Sequence, residues 1–220
     1  ADEVVNNNPR ILNSGLHDKA FFTKMWEQLV SAGGWSGEIW DRRKSGEHYP
    51  KWMTITAVKN QEGVASEYVA IFSDITARKL AEEEIRNLAF YDGLTRLPNR
   101  RLLMDRLSRA TAASSRNNRH NALFFIDLDN FKQLNDTHGH DTGDVLLKQV
   151  GQRLKECVRE GDTVARMGGD EFVILLEDLD RKLQIAFTQT ESAGEKILAR
   201  LNQPYDLLGR DFRNTPSIGV

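Results

Sequence analysis

The stretch ALFFIDLDNF, residues 122–131, decides how the carboxy-terminal half of the chain folds. The apolar run from Ala122 to Ile126 is short enough for a buried strand, and Asp127 and Asp129 follow where that strand leaves its sheet. Ligand sites in sheets flanked by helices favour that position. Downstream, Met167-Gly168-Gly169-Asp170-Glu171-Phe172 lies between two short apolar segments, 163–167 and 171–176, and its glycine pair permits a tight turn. If these strands are neighbours, Asp127 and Asp170 can share a metal ion. Mg²⁺ takes one or two carboxylates together with phosphate oxygens, so the pair suits a nucleoside triphosphate better than an all-protein cage. Taken alone, the acids are better explained as the solvated tip of a Gly-Asp turn, because such turns are common.

Outward from this centre the hydrophobic period changes repeatedly. Helical spacing predicts helices over 99–113 and 142–158 and one ending near Leu201, and the last strand is expected near Ser217. In the second helix Leu147, Val150, Leu154 and Cys157 share one face that should pack on a sheet. The polar run 114–118 reads as a flexible loop. Upstream, 76–90 contains no Gly or Pro, aligns Ala81, Ile85 and Leu88, and offers Thr76 as an N-cap. It is expected to be a connecting helix whose apolar stripe can pair with a second copy. The first 76 residues hold all four Trp and read as a helix, 19–30, with three strands, 35–43, 49–59 and 67–73. The expected class is α+β: a sheet-plus-helix domain over 1–76, a helix over 77–91 and an α/β layered domain over 92–220.

Composition narrows the function. With 220 residues, 40% hydrophobic and 28% charged, the chain is neither disordered nor fibrous. No apolar run approaches the ~18 residues of a membrane span, and the first ten residues lack the basic and apolar regions of a secretion signal, so a cytoplasmic chain without membrane contact is expected. A net charge of −2 provides no field for a nucleic-acid polymer. The lone Cys157 reads as a small core hydrophobe. No GxxxxGK[ST] loop is present, which disfavours P-loop hydrolysis.

Four ordered motifs carry a resemblance. They are the opening Asp92-Gly-Leu-Thr-Arg-Leu-Pro-Asn-Arg100, Phe125-Ile-Asp-Leu-Asp-Asn-Phe-Lys-Gln-Leu-Asn135, His138-Gly-His-Asp-Thr-Gly-Asp144 and Arg166-Met-Gly-Gly-Asp-Glu-Phe172. Together they resemble the GGDEF diguanylate cyclases, from about Leu88 to Val220. The resemblance implies a nucleotidyl-cyclase-like α/β sandwich in which two domains of a dimer convert two GTP into cyclic di-GMP and two pyrophosphates. It implies Mg²⁺ or Mn²⁺ held by Asp127, Asp170 and the Leu128 carbonyl, with Glu171 assisting the metal or deprotonating the attacking hydroxyl. Asn135 and Asp144 match the guanine-reading positions, and the backbone of Asn130, Phe131, Lys132 and Gly169 would lie against phosphate and ribose. Arg159 and Asp162 match a product-inhibition site for cyclic di-GMP. The resemblance stops at Val220, before the family's closing strand and a helix that contacts triphosphate. Gly93 stands where Pro is common.

The first half, through Asn8-Pro-Arg-Ile-Leu-Asn-Ser-Gly15, Trp35-Ser-Gly-Glu-Ile-Trp40 and Phe72-Ser-Asp-Ile-Thr-Ala-Arg-Lys79, resembles the later part of a PAS sensor. Pro9 occupies the position of the flavin-reactive Cys in photosensing relatives, which argues against that chemistry. His17 and His48 lie in no convincing haem motif, and His138 and His140 have no third ligand at zinc spacing, so no cofactor is assigned to the sensor half. The endings around Pro204 and Thr215 look like composite proteins in which a GGDEF domain precedes a phosphodiesterase. A GTP or cyclic di-GMP sensing domain is thus the competing reading.

Overall fold

In the computed structural model, which describes residues 8–220, the chain divides into two compact units, one ending at Glu84 and the other starting at Ile85. The amino-terminal stretch whose polarity argued against a secretion signal lies, through residue 7, outside the described residues.

In the first unit, helix α1 (Lys19–Ala32) begins where the Asp18 carboxylate accepts the Phe21 N–H, and ends at Gly33 in the left-handed conformation. Strands β1 (Gly34–Arg42), β2 (His48–Lys59) and β3 (Ala65–Asp74) then form an antiparallel meander, as expected. Met25 and Leu29 of α1 pack on Trp35 and Ile55, so the helix covers β1 and β2. The same sheet carries a buried ion pair between Lys51 and Asp41. Every residue of β3 is exposed. Trp35 is core, whereas Trp26 and Trp52 are nearly half exposed, so the tryptophans are not uniformly core residues. His17 is engaged structurally: its Nε2 accepts the Trp40 N–H at 2.8 Å and its ring stacks on Phe21.

Helix α2 (Thr76–Phe90) keeps Leu80, Ile85 and Leu88 exposed. Thr76 is its first residue rather than its cap. The Asp74 carboxylate accepts both the Thr76 N–H and hydroxyl, and these bonds with Arg43 hold Asp74 down at about 2. Sequence reasoning puts the cap on Thr76 because Thr is a good N-cap, whereas the carboxylate that serves this helix start is that of Asp74.

The second unit is built on a four-stranded sheet in the order β5-β6-β4-β9, formed by β4 (His120–Leu128), β5 (Thr163–Gly168), β6 (Glu171–Leu179) and β9 (Pro216–Gly219). All of its pairings are antiparallel. Helix α3 (Arg100–Asn117) places Leu103 and Ala110 against Ala165, Val173 and Leu175 on one face. Helices α5 (His140–Cys157) and α6 (Leu183–Leu201) fill the other face around Phe124, Ile126, Phe172 and Ile174. Strict alternation along β6 separates the two cores. No helix of the described residues is long and apolar enough to cross a membrane.

The structure corrects one local expectation and adds two elements. The run 114–118 is not a loop: α3 continues through Asn117 and stops at Asn118, which takes the left-handed conformation that ends helices. The segment after Asp129 forms its own helix, α4 (Phe131–His138), separated from α5 by Gly139 at φ 85°. A small hairpin, β7 (Tyr205–Asp206) with β8 (Asp211–Phe212), precedes the last strand. Its Tyr205 ring lies under the Arg153 guanidinium, 3.7 Å from centroid to Cζ. Cys157 is buried, and burial pushes its thiol up, in keeping with a core role.

Candidate active site

The β4 strand brings Asp127 to the sheet end, directly opposite Glu171 of β6 in the antiparallel register. The Asp129 N–H donates to the Thr215 carbonyl at 2.9 Å, so odd-numbered residues here turn their backbone groups toward β9. By alternation Asp127 and Glu171 form a non-hydrogen-bonded pair, the kind that brings side chains closest, and the Leu128 carbonyl faces the β6 side, where the ladder ends. Burial pushes the Asp127 carboxyl above its ordinary value, and Asp170, Glu171 and Asp129 push it further. The two acids singled out from separate motifs are therefore electrostatic neighbours. Between them Gly168 and Gly169 carry φ of 141° and 53°, values an L side chain adopts only with strain.

Among the described residues no three His, Cys, Asp or Glu side chains converge into a ready metal cage. The donor set fits Mg²⁺ in another way: two hard carboxylates and a backbone carbonyl leave coordination positions for phosphate oxygens and water. The Glu171 side chain makes no hydrogen bond or ion pair among the described residues, which leaves its carboxylate available.

Asp129, the other acid of the strand end, is fully occupied. Its oxygens accept the Thr215 and Ser217 hydroxyls at 2.6 and 2.7 Å, and its carbonyl accepts the Asn214 amide at 2.6 Å. The hydroxyl bonds hold its carboxyl below the usual range, and all three fasten β9 to β4. Asn130 follows at φ 58° and turns the chain into α4, where Lys132 is exposed and the Phe131 side chain is in the core. Only the backbone of Phe131 can meet a ligand. The first N–H groups of α4 lack intrahelical acceptors, which makes this turn suited to an anion.

Asn135 and Asp144, nine residues apart, lie on facing elements because α4 and α5 fold back at Gly139. Asp144 is exposed, while the Asn135 Oδ1 is buried with no hydrogen-bond partner. Arg159 and Asp162 also come together, at 3.3 Å between Nε and Oδ1. Asp162 is almost buried and accepts the Arg159 and Glu177 N–H groups, and Arg159 donates to the Glu177 carbonyl. The pair thus ties the end of α5 to β6, and Arg159 borders an open cavity of about 360 Å³ floored by Leu176 and Leu179.

Asp92 and Arg166 both stand in the family motifs, yet sequence reasoning missed their roles. Arg166 donates to the Gly169 carbonyl from Nε and Nη2, at 3.0 and 2.7 Å, and from Nη1 to Asp92 at 3.0 Å. Asp92 also accepts the Thr95 N–H and hydroxyl. Burial pushes Asp92 up, but the Thr95 bonds and then Arg166 outweigh it, leaving the carboxyl below its ordinary value. The opening motif is therefore a clamp on the glycine turn. The isolated bridge between Tyr91 and Pro98 closes that motif into a loop.

Residues 89–220 match the family described as "Diguanylate cyclase, GGDEF domain". The bifunctional diguanylate cyclase/cyclic di-GMP phosphodiesterase MucR of Pseudomonas aeruginosa is 42% identical over 145 residues, 66% of this chain and 20% of that protein. This chain thus spans about a fifth of the length of the curated relatives it matches. Among solved structures, the GGDEF domain of TpbB from P. aeruginosa is 37% identical with a TM-score of 0.55, covering 59% of this chain and 73% of that one. The coiled coil and GGDEF domain of DgcB from Caulobacter crescentus, solved in complex with c-di-GMP, is 28% identical with a TM-score of 0.56, covering 65% and 75%. With the family model matching residues 89–220, more than half of its length, the chain belongs to the GGDEF family of diguanylate cyclase domains.

Proposed function

We propose that the second unit condenses two GTP into cyclic di-GMP and two pyrophosphates, in a dimer that presents one GTP to the 3′-hydroxyl of the other. The observation that carries this reading is that Asp127 lies at one sheet end within electrostatic reach of Asp170 and Glu171, beside a helix start suited to phosphate. Asp127, Asp170 and the Leu128 carbonyl would hold Mg²⁺ or Mn²⁺, which supplies charge neutralisation at the α-phosphate and pyrophosphate oxygens. The N–H groups of Phe131, Lys132 and the Gly169 turn hold phosphate and ribose oxygens. Asn135 and Asp144 set an amide and a carboxylate against the donors and acceptors of guanine. Glu171, free of protein partners, accepts the proton of the attacking hydroxyl or completes the metal shell.

Regulation is proposed at two places. The meander and α1 of the first unit fit a partial PAS sensor within 1–76. The exposed stripe of α2, within the proposed connector 77–91, fits pairing with a second copy to bring two 92–220 catalytic domains together. Arg159 and Asp162 are proposed to bind cyclic di-GMP, Arg159 by exchanging its Glu177 carbonyl contact for phosphate. Arg159→Ala is expected to weaken cyclic di-GMP binding at least tenfold by calorimetry, the loss of about one charged hydrogen bond. Unchanged affinity would remove the product site from this account. A cytoplasmic setting is part of the proposal, as GTP is the substrate.

The test is incubation of the full-length protein with GTP and Mg²⁺, with cyclic di-GMP followed by chromatography beside Asp170→Asn. Product from the unsubstituted protein alone, rising more steeply than linearly with protein concentration, is expected. The bifunctional relative favours a second reading in which the domain binds GTP to regulate a neighbouring phosphodiesterase. GTP binding without product at concentrations that favour dimers would establish that reading instead.

A further inference from the structure

We propose that Gly143 is a positioning residue for base recognition: the absence of its side chain seats the Asn135 carboxamide with Oδ1 against α5 and Nδ2 turned to the nucleotide. The inference rests on the proposed role of Asn135 at guanine and deepens it.

A Cβ at position 143 would lie 2.0 Å from Asn135 Oδ1 and 3.0 Å from its Cγ. Real Cβ atoms do not approach that closely, so any residue but glycine must expel the amide. The third neighbour, Phe131 Cζ at 3.2 Å, belongs to a buried ring in the core and gives no room in that direction. Gly143 is itself buried in the first turn of α5, where a glycine contributes nothing to helix formation that alanine would not do better. Its φ is not in the left-handed region, so backbone conformation does not explain it. What explains it is the close approach of Asn135.

The Asn135 amide has a definite orientation. Oδ1 is buried without a hydrogen-bond partner, its close neighbour being the Gly143 Cα–H side, a weak donor. Nδ2 forms no hydrogen bond among the described residues and is not buried with Oδ1. The carboxamide therefore offers its donors outward, one residue position from where α5 offers the exposed Asp144 carboxylate. Donors from Nδ2 together with the Asp144 carboxylate complement guanine, whose N1–H and N2–H₂ donors lie side by side next to its acceptors; adenine carries a single donor group, N6–H₂, between two acceptors and gives a carboxylate no second donor. Gly143 fixes the first of these groups and directly precedes the second.

The experiment compares the unsubstituted protein with Asn135→Ala, Gly143→Ala and the double variant, in Mg²⁺. The probes are 3′-deoxy-GTP and 3′-deoxy-ATP, which lack the attacking hydroxyl and are not turned over. Asn135→Ala is expected to weaken 3′-deoxy-GTP binding about tenfold, the value of one or two neutral hydrogen bonds. Gly143→Ala should match that loss and lower the preference for guanine over adenine to the same ratio. In the double variant the clashing amide is gone, so its affinity should equal that of Asn135→Ala and its melting temperature should be no lower. Three results overturn the inference while leaving the role of Asn135 intact: Gly143→Ala binding like the unsubstituted protein, equal losses for both nucleotides, or additive losses in the double variant. If Asn135→Ala keeps full affinity and preference, the guanine-reading role fails first, and the inference with it.

Discussion

Asp127→Asn is expected to reduce cyclic di-GMP formation by on the order of 10³-fold while raising the melting temperature of the metal-free protein at neutral pH, a metal's charge stabilisation being worth several kcal/mol. The two effects share one cause. Asp127 is pushed up by burial and then by the charges of Asp170, Glu171 and Asp129, so ionised Asp127 opposes folding unless a cation offsets it. Because its folded value is raised above the ordinary 3.8, the folded state binds protons more readily than the unfolded chain. The resulting stability is fully present below the ordinary value and is lost as pH rises through the folded one. Asn carries no such charge, so its advantage should appear near neutral pH and vanish at acid pH. Product chromatography and thermal melts at two pH values measure both. A variant that still makes cyclic di-GMP would remove Asp127 from the proposed metal site, and one that melts lower at neutral pH would show that the carboxylates do not repel.

Arg166→Met should destabilise the second unit by about 2–4 kcal/mol and lower turnover by on the order of 10²-fold, although Arg166 is assigned no contact with substrate or metal. The guanidinium is 11% exposed and supplies three hydrogen bonds that tie Asp92 to the Gly169 carbonyl. Removing it leaves a largely covered Asp92 charge without its cation and frees the turn that sets Asp170. The pH dependence has the opposite sign to that of Asp127. Asp92 is held below its ordinary value, so its contribution is present above about that value and disappears as pH falls through the lower, folded one. Adding Asp92→Asn to Arg166→Met should recover part of the lost stability, since no charge is then stranded. Equal denaturant midpoints for Arg166→Met and the unsubstituted protein would show that the clamp is idle.

Much of this is legible in the residues. The alternation of apolar and polar segments places the four main strands of the second unit and its three long helices, because burial on one or both faces dictates those periods. Asp127 and Asp170 can be marked as candidates because each lies where a strand meets a turn, but only the four motifs together pair them. The end of α3 is not legible: Ser114 to Asn118 is polar and loop-like in composition, yet Ala110 and the helix before it are anchored in the core, and the helix runs on past them. The clamp by Arg166 escapes for another reason. An ion pair between residues 74 positions apart leaves no local pattern, and Asp92 reads equally well as a turn former. Gly143 is hidden in the same way, since a glycine in a helix shows only a weak propensity until its neighbour across the fold is seen.

The pairing of β4 sets a timetable for making the protein. The strand that carries Asp127 is central, yet both of its neighbours lie later in the chain, β6 about 50 residues on and β9 about 90. At a synthesis rate of roughly 5–20 residues per second, β4 waits several seconds on the ribosome before its second edge can be covered. Phe125, still half exposed in the finished fold, is on view throughout. The Thr215 and Ser217 hydroxyls that close on Asp129 emerge 86 and 88 residues after it, so the carboxylate cluster is completed only when β9 docks. A nascent chain shorter than that point can hold the helices and the β5-β6 hairpin, but it cannot hold a finished site.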